Sequence, residues 1–193
     1  MRVLVLYAHP LETSFQAALH KTVVGTLKRV GHVVDDCDLY ADGFNPVLSP
    51  QERIDHYDTS RNRAEVQSYV ERLLAADGLV LNFPVWNMGF PAILKGYFDR
   101  VFLPGVSFRV ENGVTRPNLR NIRRLVAVTT YATSRWRAVA FGDSPRKTVK
   151  RVIRVVCHPT ASCHYLALYD INRSSDHDRM AFLSRVSQRM ERF

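Results

Sequence analysis

Phe83-Pro84-Val85-Trp86-Asn87-Met88-Gly89-Phe90-Pro91-Ala92-Ile93-Leu94-Lys95-Gly96-Tyr97-Phe98-Asp99 carries the most decisive pattern in the sequence. The apolar run before it, Gly78 to Phe83, reads as a short strand that stops at Pro84, whose missing N–H cannot continue a hydrogen-bonded ladder. The chain restarts as a helix at Pro91, a favoured first helical position. Trp86, Met88 and Phe90 make the intervening loop flat and apolar, where solvent loops carry polar turn residues. It is therefore expected to be covered by something planar, with ordinary packing of the same aromatics into the core as the plainer alternative. In the helix, Ile93, Leu94, Tyr97, Phe98, Val101 and Phe102 recur at helical spacing over more than one stripe. One sheet face cannot absorb them all, which predicts a second apolar cover, and the same helix of a twofold-related subunit is the economical candidate.

Working outward, Val3 to Tyr7 is a near-continuous β-favouring run of the kind buried on both faces of a parallel sheet. His9-Pro10 ends it. Thr13 or Ser14 can cap the helix that follows, whose apolar positions Phe15, Leu19, Val23, Leu27 and Val30 keep a helical period up to Gly31. The start of that helix offers free N–H groups and a positive dipole end to a phosphate, with the Ser14 hydroxyl and His9 as added donors. His32 to Leu39 reads as a less buried or edge strand, Tyr40 to Arg61 as a long irregular connection, and Arg63 to Ala76 as a helix. Gly105 to Asn121 is expected to be irregular, with a turn at Glu111-Asn112-Gly113. Leu125 to Thr130 and His164 to Leu168 are further strands, Tyr131 to Asp143 is a loop, and helices follow Ser144-Pro145 and Ser174 or Ser175.

Five strands alternating with helices give an α/β fold: a doubly wound, five-stranded parallel sheet with helices on both faces, in one domain spanning 1–193. Such sheets bind ligands outside the carboxyl ends of their strands, beside the switch point. His9 to Gln16, Pro84 to Gly89 and Thr129 to Asp143 follow the first, third and fourth strands and are expected to meet on that rim.

The 193 residues carry a net charge of +9, which suits nucleic acid, an anionic membrane surface or phosphorylated small molecules. No nucleic-acid motif accompanies the charge, and no stretch approaches the roughly 18 uncharged apolar residues of a membrane span. Met1 to Ala8 runs into His9-Pro10 without a basic leader or a small-residue cleavage site, so a soluble, cytoplasmic protein is expected. Cys37, Cys157 and Cys163 are an odd number without paired spacing. They read as reduced thiols acting as small hydrophobes, and no metal site is expected. A serine hydrolase lacks its Gly-x-Ser-x-Gly elbow here, and a classical dinucleotide domain its Gly-x-Gly-x-x-Gly after the first strand. Arg135, Arg137, Arg146 and Lys147 gather around a helix start, where the dipole disfavours cations. This placement points to a compensating anion, the plainer reading being a solvated basic face.

Ala8-His9-Pro10 followed by Thr13-Ser14-Phe15, then Phe83-Pro84-Val85-Trp86, the block Pro91-Ala92-Ile93-Leu94-Lys95-Gly96-Tyr97-Phe98-Asp99-Arg100-Val101-Phe102, and Val128-Thr129-Thr130 together resemble the NAD(P)H:quinone oxidoreductase family of flavodoxin-like flavoproteins. The resemblance implies two-electron transfer, in which NAD(P)H passes a hydride to flavin N5 and a quinone-like or other flat electrophile then takes the same face in a ping-pong cycle. It assigns His9, Ser14, Phe15 and Gln16 to the flavin phosphate and ribityl region. Pro84, Val85, Trp86, Asn87, Met88 and Gly89 fall to the isoalloxazine, and Thr129 and Thr130 to its pyrimidine side. It further implies FAD, or FMN, as cofactor, NAD(P)H as co-substrate and a small-molecule electron acceptor; in the homodimer that the apolar helix predicts, Phe108 would reach the partner's flavin. Arg135 and Arg137 would then receive the phosphates of NADPH.

Three departures from the family pattern matter. Asn87-Met88 stands where many relatives carry an aromatic pair, which reduces stacking and leaves Asn87 to hydrogen-bond the ring. Tyr131-Ala132 replaces a common Gly-Gly, bringing Tyr131 against the flavin edge. The Tyr and His that some relatives use to relay a proton fall near Trp136 or Arg137 and Asp143, so no catalytic residue is carried over. A soluble flavin-binding regulatory subunit of a membrane transporter, a role played by some relatives, is the alternative reading.

Overall fold

Val3, Leu4, Val5 and Leu6 have no exposed surface, because their strand, β1 (Arg2–Tyr7), lies inside a sheet covered on both faces. The computed structural model describes residues 1–193. In chain order the elements are β1, α1 (Phe15–Arg29), β2 (Val33–Asp38), α2 (Pro50–Asp55), α3 (Gln67–Ala75), β3 (Gly78–Val85), α4 (Ala92–Val101), β4 (Phe108–Glu111), β5 (Val114–Pro117), β6 (Arg124–Tyr131), α5 (Arg135–Ala140), α6 (Ser144–Lys147), α7 (Arg154–Val156), β7 (Ser162–Leu168) and α8 (Asp176–Glu191). The main sheet runs β2-β1-β3-β6-β7, parallel throughout. This is the doubly wound, five-stranded sheet that the alternation of strands and helices predicts, with β2 at an edge and the winding reversing between β1 and β3.

Alternation along each strand sends its residues to two cores. Val3, Val5, Val80, Val126 and Val128 pack with Leu19, Val23 and Leu27 of α1 and Phe182, Val186 and Met190 of α8. Leu4, Leu6, Leu79, Leu81 and Leu125 pack on the other face with Leu73 of α3, Leu94 and Tyr97 of α4, and Val149 and Ile153. Cys37 and Cys157 are buried in this second core, and burial pushes each thiol up to about 12, so both behave as small apolar groups. No helix is long and apolar enough to cross a membrane.

The structure corrects several sequence expectations. β3 does not stop before Pro84 but continues through it to Val85, paired with Tyr131 of β6. β1 bonds β3 through the Ala8 N–H to the Asn82 carbonyl. Pro84 lies two residues further on, so its missing N–H falls where the next rung, onto Ala8, would have formed. Residues 108 to 117, expected to be irregular, form an antiparallel hairpin turning at Asn112 and Gly113, both with positive φ, the pairing a two-residue primed turn demands. The presumed loop after β6 contains α5. The helix after Ser144 is α6 and α7 joined by a π-helical stretch, Thr148–Ile153. The wider turn breaks the 3.6-residue period, so Val149 and Ile153 are buried while Val152 is 62% exposed.

The second cover of α4 is supplied partly by the same chain. Arg100, only 5% exposed as a side chain, donates to Glu52 at 2.7 Å and to the Asn45 carbonyl at 2.5 Å. Asn62 donates to the Pro104 carbonyl at 3.0 Å, and a Cβ on Gly96 would run into the backbone of Pro46. The long connection from residue 40 is thus docked on α4. Its short helix α2 starts in a capping box between Ser49 and Glu52.

Candidate functional site

Because β1, β3 and β6 are adjacent and parallel, the loops after them open on one edge of the sheet. The His9 ring lies 5.7 Å from that of Trp86, tilted by 59°, which joins the first of these loops to the second. Leu11 N–H donates to His9 Nδ1 at 3.0 Å. In the neutral ring that acceptor role puts the proton on Nε2, and burial lowers the imidazole from its ordinary value despite that backbone contact.

Ser14 is the N-cap of α1. Its hydroxyl accepts from Ala17 N–H at 3.1 Å and donates to the Leu11 carbonyl at 2.7 Å, so it is already engaged in the chain. The N–H groups of Phe15 and Gln16 in the same turn have no acceptor within the chain, as the first turn of a helix dictates. The Phe15 side chain is half-buried against the α1/α8 core. Gln16 points inward and is 2% exposed. Its amide nitrogen donates to Asn82 Oδ1 and to the Val128 carbonyl, and its carbonyl accepts from Thr130 Oγ1 at 3.0 Å. One side chain therefore ties α1 to β3 and β6 just beneath the rim, and Gln16 and Thr130 act on the rim through this brace. Asn82 was the residue that sequence reasoning passed over, although an amide inside Leu79-Val80-Leu81-Asn82-Phe83 is the sort of interruption that demands a partner. The Thr129 hydroxyl is fully buried without a partner.

Residues 86 to 89 form a tight turn closed by Trp86 N–H to the Gly89 carbonyl at 3.2 Å and Gly89 N–H to the Trp86 carbonyl at 2.8 Å. Asn87 and Met88 both have positive φ, 48° and 58°, so this is a primed turn built without glycine at its centre. Left-handed backbone at a bulky residue is strained, and such strain clusters at functional sites. The turn presents Trp86 and Asn87 outward, folds Met88 onto the core, and leaves the N–H groups of Asn87 and Met88 without acceptors. Pro84 and Val85 are buried beneath it.

Tyr131 does not line the rim with its side chain. It is fully buried; its hydroxyl bonds Asp143 at 2.6 Å and Tyr165 at 2.7 Å, and its ring lies 4.6 Å from that of Tyr169. Asp143, buried and in left-handed backbone, also accepts from Arg146 at 2.9 Å, and Arg146 donates to Tyr169 at 2.7 Å. The cation expected to await an external anion is thus neutralised from within. Arg135 and Arg137 are exposed on α5 and form no ion pair; Arg137 rests on the ring of Trp136, 5.1 Å from its centroid. Arg137 and Trp136 share a cavity with Ser134, Asp170 and Arg173.

Phe108 lies in cis with Phe90, Phe98 and Phe102, lining a cavity of about 510 Å³ that begins at Gly89 and is closed on its far side by Val152, Ile153 and Val156. Phe98 and Phe102, which give α4 its excess apolar surface, therefore face this cavity. Lys95, which also lines it, pairs with Asp99 one turn on at 2.5 Å.

The family model described as flavodoxin-like fold matches residues 1–176. NAD(P)H dehydrogenase (quinone) 1 of Rattus norvegicus is 32% identical over 145 residues, covering 67% of this chain and 53% of that protein. An uncharacterized NAD(P)H oxidoreductase of Haemophilus influenzae is 37% identical over 122 residues, covering 63% of this chain and 60% of that protein. The chain spans less than two thirds of the length of these curated relatives. Among solved structures, that of Smu.1420 from Streptococcus mutans UA159 superposes with a TM-score of 0.87 at 29% identity, covering 100% of both chains. With the sheet order, the rim of converging loops and the match over residues 1–176 in agreement, the chain belongs to the NAD(P)H:quinone oxidoreductase family of the flavodoxin-like fold.

Proposed function

We propose that the chain is a flavin-dependent NAD(P)H oxidoreductase whose acceptor is a quinone or another flat electrophile. The observation that carries this reading is the rim itself, where the unclaimed N–H groups of two elements meet beside exposed aromatic surface. Phe15 and Gln16 N–H, with the Nε2–H of His9 close by, suit the phosphate of a flavin nucleotide. The outward faces of Trp86 and Asn87 and the free N–H groups of Asn87 and Met88 suit a planar, polar-edged ring. By these two features the residues present fit the cofactor, in its FAD or FMN form. When bound, a flavin supplies the hydride-accepting N5 and so allows nicotinamide and acceptor to use one face in turn, a ping-pong order.

The chain's own part is positional. His9 and α1 hold an anion at one end, the turn Trp86 to Gly89 orients the ring, and the Gln16 brace fixes the distance between them. Arg135 and Arg137, exposed and without carboxylate partners, would meet the phosphates of NADPH in this reading. A homodimer would complete the acceptor side, with the half-exposed Phe98, Phe102 and Phe108 turned to the partner; a monomer by light scattering at micromolar concentration, still active, would remove this part.

The test is spectroscopic. The purified protein is expected to be yellow, to bleach anaerobically on adding NADPH, and to recover its colour on adding a quinone. The mass of the released cofactor distinguishes FAD from FMN. A protein that takes up neither flavin would overturn the reading.

A further inference from the structure

At the N-terminal ends of the strands, opposite the rim, Arg123, Arg124 and Arg192 line a concavity of about 670 Å³ together with Asp77, Thr160 and Ser162. Its floor is fixed by backbone. Arg123 N–H donates to the Asp77 carbonyl at 2.8 Å, and the Arg123 carbonyl accepts from Ser162 N–H at 3.1 Å, so one residue locks the starts of β6 and β7 to the residue before β3. Arg189 stands behind, on α8. Its Nε is buried with no partner, and burial, then the charges of Arg124 and Arg192, push its guanidinium down from its ordinary value.

None of these four arginines has an acidic partner. Glu191 is held by Arg29 at 2.7 Å, Asp35 by Arg2 and Arg72, and a carboxylate oxygen of Asp77 by the Arg2 N–H at 2.7 Å. The negative end of the α8 dipole accounts for cations at Arg189 and Arg192, but not for Arg123 and Arg124, which start a strand. Three like charges lining one hollow against the single carboxylate of Asp77, with Glu191 and Asp35 paired elsewhere, call for an anion from outside.

We propose that this cradle binds a small oxyanion bearing two or more phosphoryl groups, gripped by Arg123, Arg124 and Arg192. Guanidinium forks match phosphoryl oxygens two at a time. Three forks call for more than one such group, and the hydroxyl of Ser162 adds a neutral donor. The hollow is concave, which suits a compact anion rather than a flat membrane surface. The phosphoryl chain can come from a free oligophosphate or from a nucleoside diphosphate.

Calorimetric titration of the full chain with sodium tripolyphosphate, and separately with ADP, tests the assignment. Apart from any phosphate binding at the rim, a saturable site that depends on the arginines of the cradle is expected, weakening as salt is raised. Arg124→Gln and the exposed Arg192→Gln should each weaken binding by about tenfold, whereas Arg53→Gln, exposed on α2 and outside both the rim and the cradle, should not change it. Binding of both ligands means that the phosphoryl chain alone is read, and binding of ADP only means that the nucleotide is the source; either supports the proposal. No saturable binding of either, binding by a single-stranded oligonucleotide alone, or undiminished binding in Arg192→Gln would overturn it. None of these readouts requires flavin or activity.

Discussion

The phenol of Tyr131 donates to one carboxylate oxygen of Asp143 at 2.6 Å, and the other oxygen accepts from Arg146 at 2.9 Å. A single buried acid thereby pins the end of β6 to the first turn of α6. Tyr131→Phe leaves that oxygen facing an apolar ring edge, and the chain is expected to lose about 1–3 kcal/mol of stability, the cost of an unsatisfied buried polar group. Urea unfolding measures it. An unchanged midpoint would mean that water replaces the phenol and that the pin is not structural.

Arg146 and its exposed neighbours should separate cleanly. Arg146→Ala is expected to lower stability without altering the preference between NADPH and NADH, because its guanidinium is taken by Asp143 and Tyr169. Arg135→Ala and Arg137→Ala should leave stability unchanged and raise KM for NADPH by about tenfold, the value of one charge-assisted contact. An equal effect on both coenzymes would place these two arginines on the shared pyrophosphate rather than the 2′-phosphate, and no effect on either would place them outside the phosphate path.

Gly96→Ala tests the docking of the long connection on α4. The added methyl meets the backbone of Pro46 rather than a movable side chain, so overpacking is expected to cost about 1–3 kcal/mol despite alanine's better helix propensity. A gain in thermal midpoint would show that residues 44 to 47 yield freely.

Replacing Asn87 by Trp supplies the aromatic that the family pattern led one to expect there, but at a left-handed position, φ 48°. The stacking gain of about 0.5–1.5 kcal/mol is set against a backbone cost of about 1–2 kcal/mol. We expect a less stable apoprotein with no tighter flavin binding, whereas Asn87→Gly should be neutral or stabilising. Fluorescence titration of flavin with both variants decides it; tighter binding in Asn87→Trp would show that the ligand relieves the strain.

His164 should make stability depend on pH. Burial, followed by the charges of Arg189 and Lys150, lowers its imidazole below the ordinary value of 6.5. As pH falls below 6.5 the unfolded chain takes up a proton that folded His164 refuses, so stability falls until the folded-state value is passed. His164→Gln removes that share of the slope. Urea midpoints between about pH 7 and pH 5 should therefore drop less in the variant than in the parent chain, and parallel drops would refute the assignment.

The five-stranded sheet was readable because β1, β3 and the first half of β6 are rich in Val and Leu and helices alternate with the strands, several of them marked by a cap or a proline. The short elements were not. The strands of the hairpin expose most of their side chains, and α5 buries only Ala138, so neither leaves a hydrophobic period to detect. The π-helical stretch was hidden for the opposite reason, since Val149, Val152, Ile153 and Val156 imitate a regular stripe. At the site, the positions of His9, Ser14 and Trp86 followed from local motifs. The partners of Gln16 and Tyr131 did not, because Asn82, Val128, Tyr165 and Tyr169 are brought to them only by the folded sheet.

The proline in β3 has a further consequence. Parallel strands with matched ends tend to zip as far as donors and acceptors permit, and each added rung would draw the chain after Ala8 down against β3. Pro84 forbids the next rung by covalent structure rather than by packing. The cleft between the first and third strands is therefore held apart without a wedge of side chains and without help from any occupant, and its mouth should have the same width whether empty or filled.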